Sequence, residues 1–586
     1  MKRLSIGSGS IRFAVPLLVY VATLLTTAGA ASAQTDQDRL DALTAQLKQI
    51  QQMASQMPRT MRAKLSSGAQ NLLRLAESAD NGELQSNLPQ LGAALHGTLG
   101  GQLFTSRSET LPPFQVNDPS TDLAFSRNAG LVHSETSTAW CGQNVVVAYN
   151  DSGSLPESFQ PLSTRTIGLS FNGYSRSTDG GRTFIDQGFL NPGPNVFEFL
   201  GGDPVAVCTD QNTFYQSSIS ETGIGGRGLF SGASVSKSTD GGATFDDPVQ
   251  VVRKVPRFHF IDKPWLAADP SNPNKLYLTY SDFDISRAFC PRIRIGIELV
   301  RSVDGGATWS DPVVIDTACF PNQNQGSNVA VDSAGNVYVA WESFPSNLPT
   351  NEIDIVRSTD GGASFSPKVT VASVTPVGNF LGLLQGGFRN NEFPILAIDR
   401  SRGRVAGPIY VAWNDGRFGQ IPDVFPFSGS QTYNFGDALV SRSTDGGASW
   451  SAAVKVNNDK NAAPSPGTDH YLPGIAVDHR GAVGVCWYDR RRDPRNVFID
   501  RECAVSRNSG QTWVNHRITK ESYAPSLALD LLVQPTYMGD YDTTAADTLG
   551  QSSGFLGAFG DNTLGNPDVR ISRRFGDGDD DNNNDD

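Results

Sequence analysis

One octapeptide, Ser-x-Asp-x-Gly-x-Thr/Ser-aromatic, recurs along this chain and constrains its fold more than any other feature. It occurs as Ser177–Phe184, Ser238–Phe245, Ser302–Trp309, Ser358–Phe365 and Ser443–Trp450, and a sixth copy, Ser506–Trp513, replaces the acid with Asn508. An Asp side chain accepts hydrogen bonds from the backbone of its own turn, Gly permits a positive φ, and the closing aromatic folds back onto apolar side chains beneath. Asp179, Asp240, Asp304, Asp360, Asp445 and Asn508 are therefore expected to be structural. An acid that closes a turn is not free to move protons.

A second repeat supplies the strand order. Runs resembling Val-Tyr-Val-Ala-Trp-x-Asp occur at 145–151, 213–218, 276–282, 337–342, 409–415, 483–489 and 555–561, seven in all against six octapeptides. Short alternating runs separated by Gly, Asn, Asp and Pro, repeated at this period, predict an all-β propeller of four-stranded antiparallel blades over residues 111–575. Seven blades fit better than six. The seventh unit stops short of its outermost strand, and Phe114–Asn117 resembles Val454–Asn457, the strand after the fifth octapeptide. The first residues of the body are thus expected to complete the last blade and remove a free edge.

Met1-Lys2-Arg3, an apolar run from Ile11 to Leu25 and the small residues Ala31-Ser32-Ala33 predict a secretory signal over 1–33, hence a secreted chain, periplasmic or extracellular. Its loss removes three basic residues and no acid, taking the formal net charge from −13 to −16. Such a balance disfavours nucleic acid as partner, and no later run is long and apolar enough to span a membrane. Between 34 and 110, Leu40, Leu43, Leu47, Ile50 and Met53 recur at helical spacing, and Leu65, Leu72, Leu73 and Leu75 continue the pattern before a linker. Self-association through these helices and a simple spacer are both open. The acidic tail, 576–586, has nothing to bury and is expected to be disordered; calcium is conceivable there but has no fixed ligand set, and no cofactor is required.

All six cysteines follow the signal, and an even number in an exported chain favours disulfides. Cys486 and Cys503 fall opposite one another on a predicted hairpin, Cys290 and Cys319 flank the hairpin that turns at Asp304, and Cys141 and Cys208 remain to pair across neighbouring repeats.

With these octapeptides and the intervening Ile-Ala-Val-Asp and Val-Ala-Trp segments, residues 111–575 resemble the sialidase (neuraminidase) superfamily of Asp-box, or bacterial neuraminidase repeat, propellers. The resemblance implies an exo-glycosidase: an arginine triad holding a sugar carboxylate, a tyrosine nucleophile assisted by an acid, and an aspartate acid/base. It equally includes propellers that bind glycans or proteins without cleaving them. The Arg-containing motif that precedes the first box in true sialidases has no counterpart before Ser177, where Ser126-Arg127-Asn128, Arg165 and Arg176 are what the chain offers.

Topology locates the working face. If the octapeptides join strands C and D of each blade, A–B turns share their face, while B–C and D–A connections lie opposite. B strands end at Asn150-Asp151, Asp282, Asp284, Glu342, Asn414-Asp415 with Arg417, Tyr488-Asp489-Arg490-Arg491, and Asp561. A strands start at Glu135, Asp203, Asp262-Lys263, Glu392, His470-Tyr471 and Tyr537–Tyr541. From these, Asp489, Asp540, Tyr541 and Tyr537 are the candidate catalytic residues, and Arg417, Arg490, Arg491, Asp262 and Lys263 the candidate substrate-binding ones. Arginine forks suit a carboxylate or sulfate, and a tyrosine beside an acid suits a nucleophile. No metal site is expected. No Gly-x-Ser-x-Gly elbow precedes a helix and histidines are few, which disfavours a serine hydrolase.

Overall fold

The computed structural model describes residues 55–57, 62, 65, 114–118, 132–154, 167–193, 197–224, 228–379, 382–387, 389–401, 407–422, 432–459, 467–525, 538–563 and 567–576. The signal segment, most of the helical preface, the acidic tail beyond Gly576 and Tyr537 lie outside them.

Alternation of apolar and small polar residues, interrupted by the octapeptide turns, produces seven sheets around one axis. Blade 1 comprises His133–Cys141, Asn144–Asp151, Asn172–Ser177 and Ile185–Phe189. Blade 2 holds Val205–Cys208, Phe214–Ile224, Gly228–Ser238 and Val249–Lys254, and blade 3 His259–Ala268, Leu276–Asp284, Arg294–Ser302 and Val313–Cys319. Blade 4 is built from Gln323–Val331, Val337–Phe344, Asn351–Ser358 and Val369–Val374; blade 5 from Ile395–Ile398, Ile409–Pro422, Thr432–Ser443 and Val454–Lys455. Blade 6 contains His470–Val477, Val483–Asp489, Asp500–Ser506 and Val514–Arg517. Blade 7 takes Thr544–Ala546, Phe555–Asp561 and Asp568–Ile571 from the end of the body, and its outermost strand, Phe114–Gln115, from the beginning, with Phe114 opposite Ile571.

Blade 2 departs from the expected plan. Ile167–Ser170 and Phe197–Leu200 extend it to six strands, because Phe197–Leu200 pairs with the long second strand beyond the reach of Val205–Cys208.

The core lies in the seams between blades. Each neighbouring pair shares its own apolar cluster, such as Val235, Val251, Leu266 and Leu278 between blades 2 and 3, or Ile353, Ile355, Ile409 and Val411 between blades 4 and 5. Each octapeptide feeds one seam: Phe184, Phe245, Trp309, Phe365, Trp450 and Trp513 wedge against the preceding blade. The turn itself is closed as its chemistry demands. Asp179 Oδ1 accepts from the backbone N–H groups of Arg182 and Thr183 at 2.9 and 3.0 Å, and Oδ2 from the Thr183 hydroxyl at 2.7 Å. In the Asn508 copy the hydroxyl reverses role and accepts from Asn508 Nδ2 at 2.8 Å, so the amide keeps the network closed. The three disulfides Cys141–Cys208, Cys290–Cys319 and Cys486–Cys503 are formed. Among the described residues no helix is long and apolar enough to cross a membrane.

Candidate functional site

The octapeptides share a face with the A–B turns, since Gly180, Gly241 and Gly305 donate backbone hydrogen bonds to Gln143, Asn212 and Asn274. The candidate site residues end B strands or precede A strands, at the opposite end of each blade. There they separate into distinct groups.

The first group repeats from blade to blade. Trp413 Nε1 donates to Asp415 Oδ2 at 3.1 Å and Arg417 clamps the same carboxylate; Trp487 Nε1 donates to Asp489 Oδ2 at 2.9 Å and Arg491 does likewise at 2.7 Å. Trp-x-Asp-x-Arg is thus a strand-end brace, and Arg417 and Arg491 spend their forks on it. His470 adds to the second brace: its Nδ1 lies 3.0 Å from the Gly436 carbonyl, and its Nε2 3.3 Å from both Asp459 and Asp489. Burial opposes charge on the imidazole, but Asp489, Asp459 and Asp437 outweigh it and raise the pKa to about 9. The ligand atoms of Asp437, Asp459 and His470 lie within 4.8 Å of one another, and Lys455 pairs with Asp437 at 2.8 Å. Burial works against the Asp489 charge, but His470 and Arg491 hold its pKa far below the carboxylate range.

Arg490 goes elsewhere. It is fully buried, donates from Nη1 to the carbonyls of Gln385 and Asn496 at 2.6 and 2.7 Å, and lies over the Tyr471 ring.

The second group is the channel mouth. In several blades the innermost strand carries one left-handed residue near its start: Glu135, Asp203 and Lys263 at φ 54–55°, Leu472 at 49°, with Gly326 at the matching place in blade 4. The ladder skips there, between Ser134 and Ser137, Asp262 and Trp265, Gln325 and Asn328, and Tyr471 and Gly474. A bulge of this kind re-aims a side chain, here toward the axis, and left-handed backbone at a non-glycine residue costs about 1–3 kcal/mol. Three neighbouring blades accept that cost with charged residues.

Those residues meet. Lys263 Nζ lies 2.6 Å from Asp540, 3.3 Å from Glu135 and 3.7 Å from Asp203. Glu135 also accepts from Asn150 Nδ2 and from the Asp540 backbone, at 2.8 and 3.1 Å. Arg389 Nη2 reaches Asp540 at 2.6 Å, Asn391 donates to Asp540 at 3.1 Å, and Gln325 donates to Asp262 at 2.6 Å. Tyr541 donates to the Pro204 carbonyl at 2.9 Å, meets Trp265 edge-on, and lies under Lys263.

The electrostatics single out one member. Burial disfavours charge on Lys263 and on Asp540, but their mutual attraction, with Arg389 beside Asp540, keeps both ionised. Burial and the adjacent Glu135 carboxylate push Asp203 well above the ordinary aspartate range, so it keeps its proton. Burial, then Glu135, also drives Tyr541 well above the usual phenol value, so its hydroxyl stays neutral. Glu135 and Asp203 are 0 % exposed, and Lys263 and Asp540 4 %. Leu65, from the N-terminal segment, is itself buried and accepts from Arg389 Nη1 at 2.5 Å, so that segment reaches the mouth.

Of the candidates, Asp540, Tyr541, Asp262 and Lys263 thus stand at the mouth, Asp489, Arg417 and Arg491 brace strand ends, and Arg490 is buried beneath the Gln385 loop. Sequence reasoning named Glu135 and Asp203 only as strand starts and missed Arg389, Asn391 and Gln325. A recurring X-Pro step at Asp203-Pro204, Lys263-Pro264, Phe393-Pro394 and Leu472-Pro473 could have marked the mouth positions. Arg389 lies in an aperiodic connection with no such signal. At the octapeptide end, the channel widens into a cavity of about 640 Å³, lined in part by an alanine from each innermost strand, among them Ala139, Ala267 and Ala476.

No protein-family model and no curated protein matches the chain. Among solved structures it is similar to an ulvan lyase of a polysaccharide lyase family, at 10 % identity and a TM-score of 0.44 over 77 % of this chain and 94 % of that one. It is also similar to an α-L-arabinanase of Penicillium chrysogenum complexed with arabinobiose (13 %, 0.39, covering 65 % and 94 %). A leech intramolecular trans-sialidase gives 12 %, 0.37, and 72 % and 70 %. Similarity of this degree carries no residue-level correspondence.

Proposed function

We propose that this chain is an exported propeller that hydrolyses glycosidic bonds at the channel mouth, with Asp203 as proton donor, Asp540 as the ionised carboxylate and Glu135 beside them. The observation that carries this reading is Asp203: a buried carboxyl that keeps its proton beside Glu135 and 3.7 Å from Lys263, on strained backbone, at the axis. Groups whose environments push their pKa values apart are what acid and base roles require. Lys263 holds Glu135 and Asp540 in place, while Asp262 and Tyr541 wall the centre. Asp489, Arg417, Arg490 and Arg491 serve the scaffold around it. Acidic sugars are the substrates favoured, since Lys263 and Arg389 supply the cations of the mouth.

Glycan binding without turnover is the second reading. Assays of the full chain on aryl glycosides of sialic, uronic and neutral sugars separate the two. Hydrolysis by the wild type, falling as pH rises and reduced about 10²–10⁴-fold in Asp203→Asn with binding retained, supports the enzyme. Binding of the same sugars with no turnover of any supports the second reading.

A further inference from the structure

The net charge of this chain is −13, yet two neighbouring segments of the working face hold no acid at all. One is Arg253–His259, where blade 2 passes to blade 3: Arg253, Lys254, Val255, Pro256, Arg257, Phe258, His259. The other is Arg287–Arg294 in the B–C loop of blade 3: Arg287, Ala288, Phe289, Cys290, Pro291, Arg292, Ile293, Arg294. They touch, since Ile285 donates its backbone N–H to the Phe258 carbonyl at 2.8 Å and His259 pairs with Asp284.

Their charges divide by depth. Lys254, His259 and Arg294 turn inward and are satisfied by Asp282 and Glu298 at 2.8–3.4 Å. Arg253, Arg257, Arg287 and Arg292 turn outward; all four are exposed, and among the described residues no carboxylate lies within 4.0 Å of any of them. Between them stand apolar side chains that a soluble surface ordinarily covers: Phe289, 78 % exposed, Val255, 51 %, and Phe258, 38 %. The aromatics are held in place. The Cys290–Cys319 bridge and the Phe320 N–H to Ile293 carbonyl bond pin the loop, Arg294 lies over the Phe289 ring at 5.7 Å and Arg257 over Phe258 at 5.3 Å.

We infer that this strip is a docking site for an anionic polysaccharide, bearing sulfate or carboxylate groups, outside the channel mouth. Unpaired arginine forks match sulfate or carboxylate oxygens, and exposed phenyl rings offer flat faces to the C–H side of a sugar ring. A duplex nucleic acid carries charge along its whole length and would meet the acidic remainder of the molecule. A single polysaccharide chain can follow the strip alone. The inference deepens the glycan reading by naming the polymer class, and it is tested separately.

Binding of the full chain to dextran sulfate, polygalacturonate and neutral dextran is measured at low and at physiological salt, with a DNA duplex and phosphatidylserine vesicles as competitors. At least one of the two polyanions should bind and dextran should not, with affinity falling as salt rises. Arg257→Ser/Arg287→Ser/Arg292→Ser should bind about tenfold or more weakly, a change of roughly 1.4 kcal/mol. Phe289→Ala should lose affinity severalfold with its salt dependence unchanged. Both variants should unfold at the wild-type temperature and keep wild-type turnover of any short aryl glycoside. Unchanged affinity in the triple variant, equal binding of dextran, or equally tight binding of DNA or vesicles overturns the inference. Failure of turnover alone would overturn the reading of the mouth and leave the strip standing.

Discussion

Asp179 and Asp203 carry the same side chain and are put to opposite use by what surrounds them. Slight burial works against the Asp179 charge, but hydrogen bonds from Thr183, Ser177 and Arg182 pull its pKa below the ordinary value. Asp203 has burial and Glu135 against ionisation and stays protonated. Because its folded pKa is raised, Asp203 contributes stability that is present below the unfolded value, about 4, and lost as pH rises through the folded one. Asp203→Asn cannot titrate, so its melting temperature relative to wild type should climb from about pH 4 to neutral pH; a constant difference would refute the assignment. His470 also has a raised folded pKa. Its contribution is full below 6.5 and disappears as pH rises through about 9, a slope that His470→Gln should abolish in denaturant titrations across that window. Ser358 is buried, donates to Asp360 at 2.7 Å and accepts from the Gly362 N–H at 2.8 Å. Ser358→Ala, which strands that N–H, should cost about 1–3 kcal/mol in urea unfolding and leave glycan affinity of the folded fraction unchanged.

At the scale of the element, each octapeptide is a local motif with a non-local job. Its hydrogen bonds close within eight residues, but its aromatic fills the seam with the preceding blade, and that blade reaches back: Arg301 Nη1 donates to the Gly361 carbonyl at 2.6 Å and Arg442 Nη1 to the Ser509 carbonyl at 3.0 Å. Blade 7 has no octapeptide, and the seam between blades 6 and 7 is filled differently. Phe555 and Phe575 pack there at 5.4 Å beside the Cys486–Cys503 bridge. A Cβ on Gly557 would come within 2.6 Å of Cys486 Sγ. Of the three bridges, Cys141–Cys208 joins two blades and closes the longest segment, 67 residues against 29 and 17. Loop entropy assigns it about 4 kcal/mol, against about 3 for Cys486–Cys503. Cys141→Ala/Cys208→Ala should therefore lower the melting temperature more than Cys486→Ala/Cys503→Ala in calorimetry.

For the whole molecule, closure rests on few residues. Beyond the Phe114 and Gln115 pairing, Val116 donates its N–H to Val569 at 2.9 Å, Asn117 bonds both Asp568 and Val569, and Val116 is buried between blades 7 and 1. Val116→Asp should release this strand, lower stability by more than about 2 kcal/mol and expose Asp568–Ile571 as a pairing edge. Light scattering during thermal unfolding would show the resulting aggregation, and its absence would mean that closure does not protect this edge.

What could be read without coordinates is what the chain repeats. The octapeptides, the seven B runs, the likeness of Phe114–Asn117 to Val454–Asn457 and the cysteine spacings each express a contact repeated in most blades or made between adjacent strands or neighbouring blades, so local pattern carries them. The candidate site was legible only in part, for the same reason. Sequence position put Asp489, Arg490, Asp540 and Tyr541 on one face, but it could not show that Arg417 and Arg491 fold back on their own aspartates, or that Asp540 belongs with Glu135, Asp203, Lys263 and Arg389. Those five residues come from five separate stretches of chain and meet at the axis. Their meeting depends on how seven blades close and on left-handed residues that turn side chains inward, which only the closed ring decides.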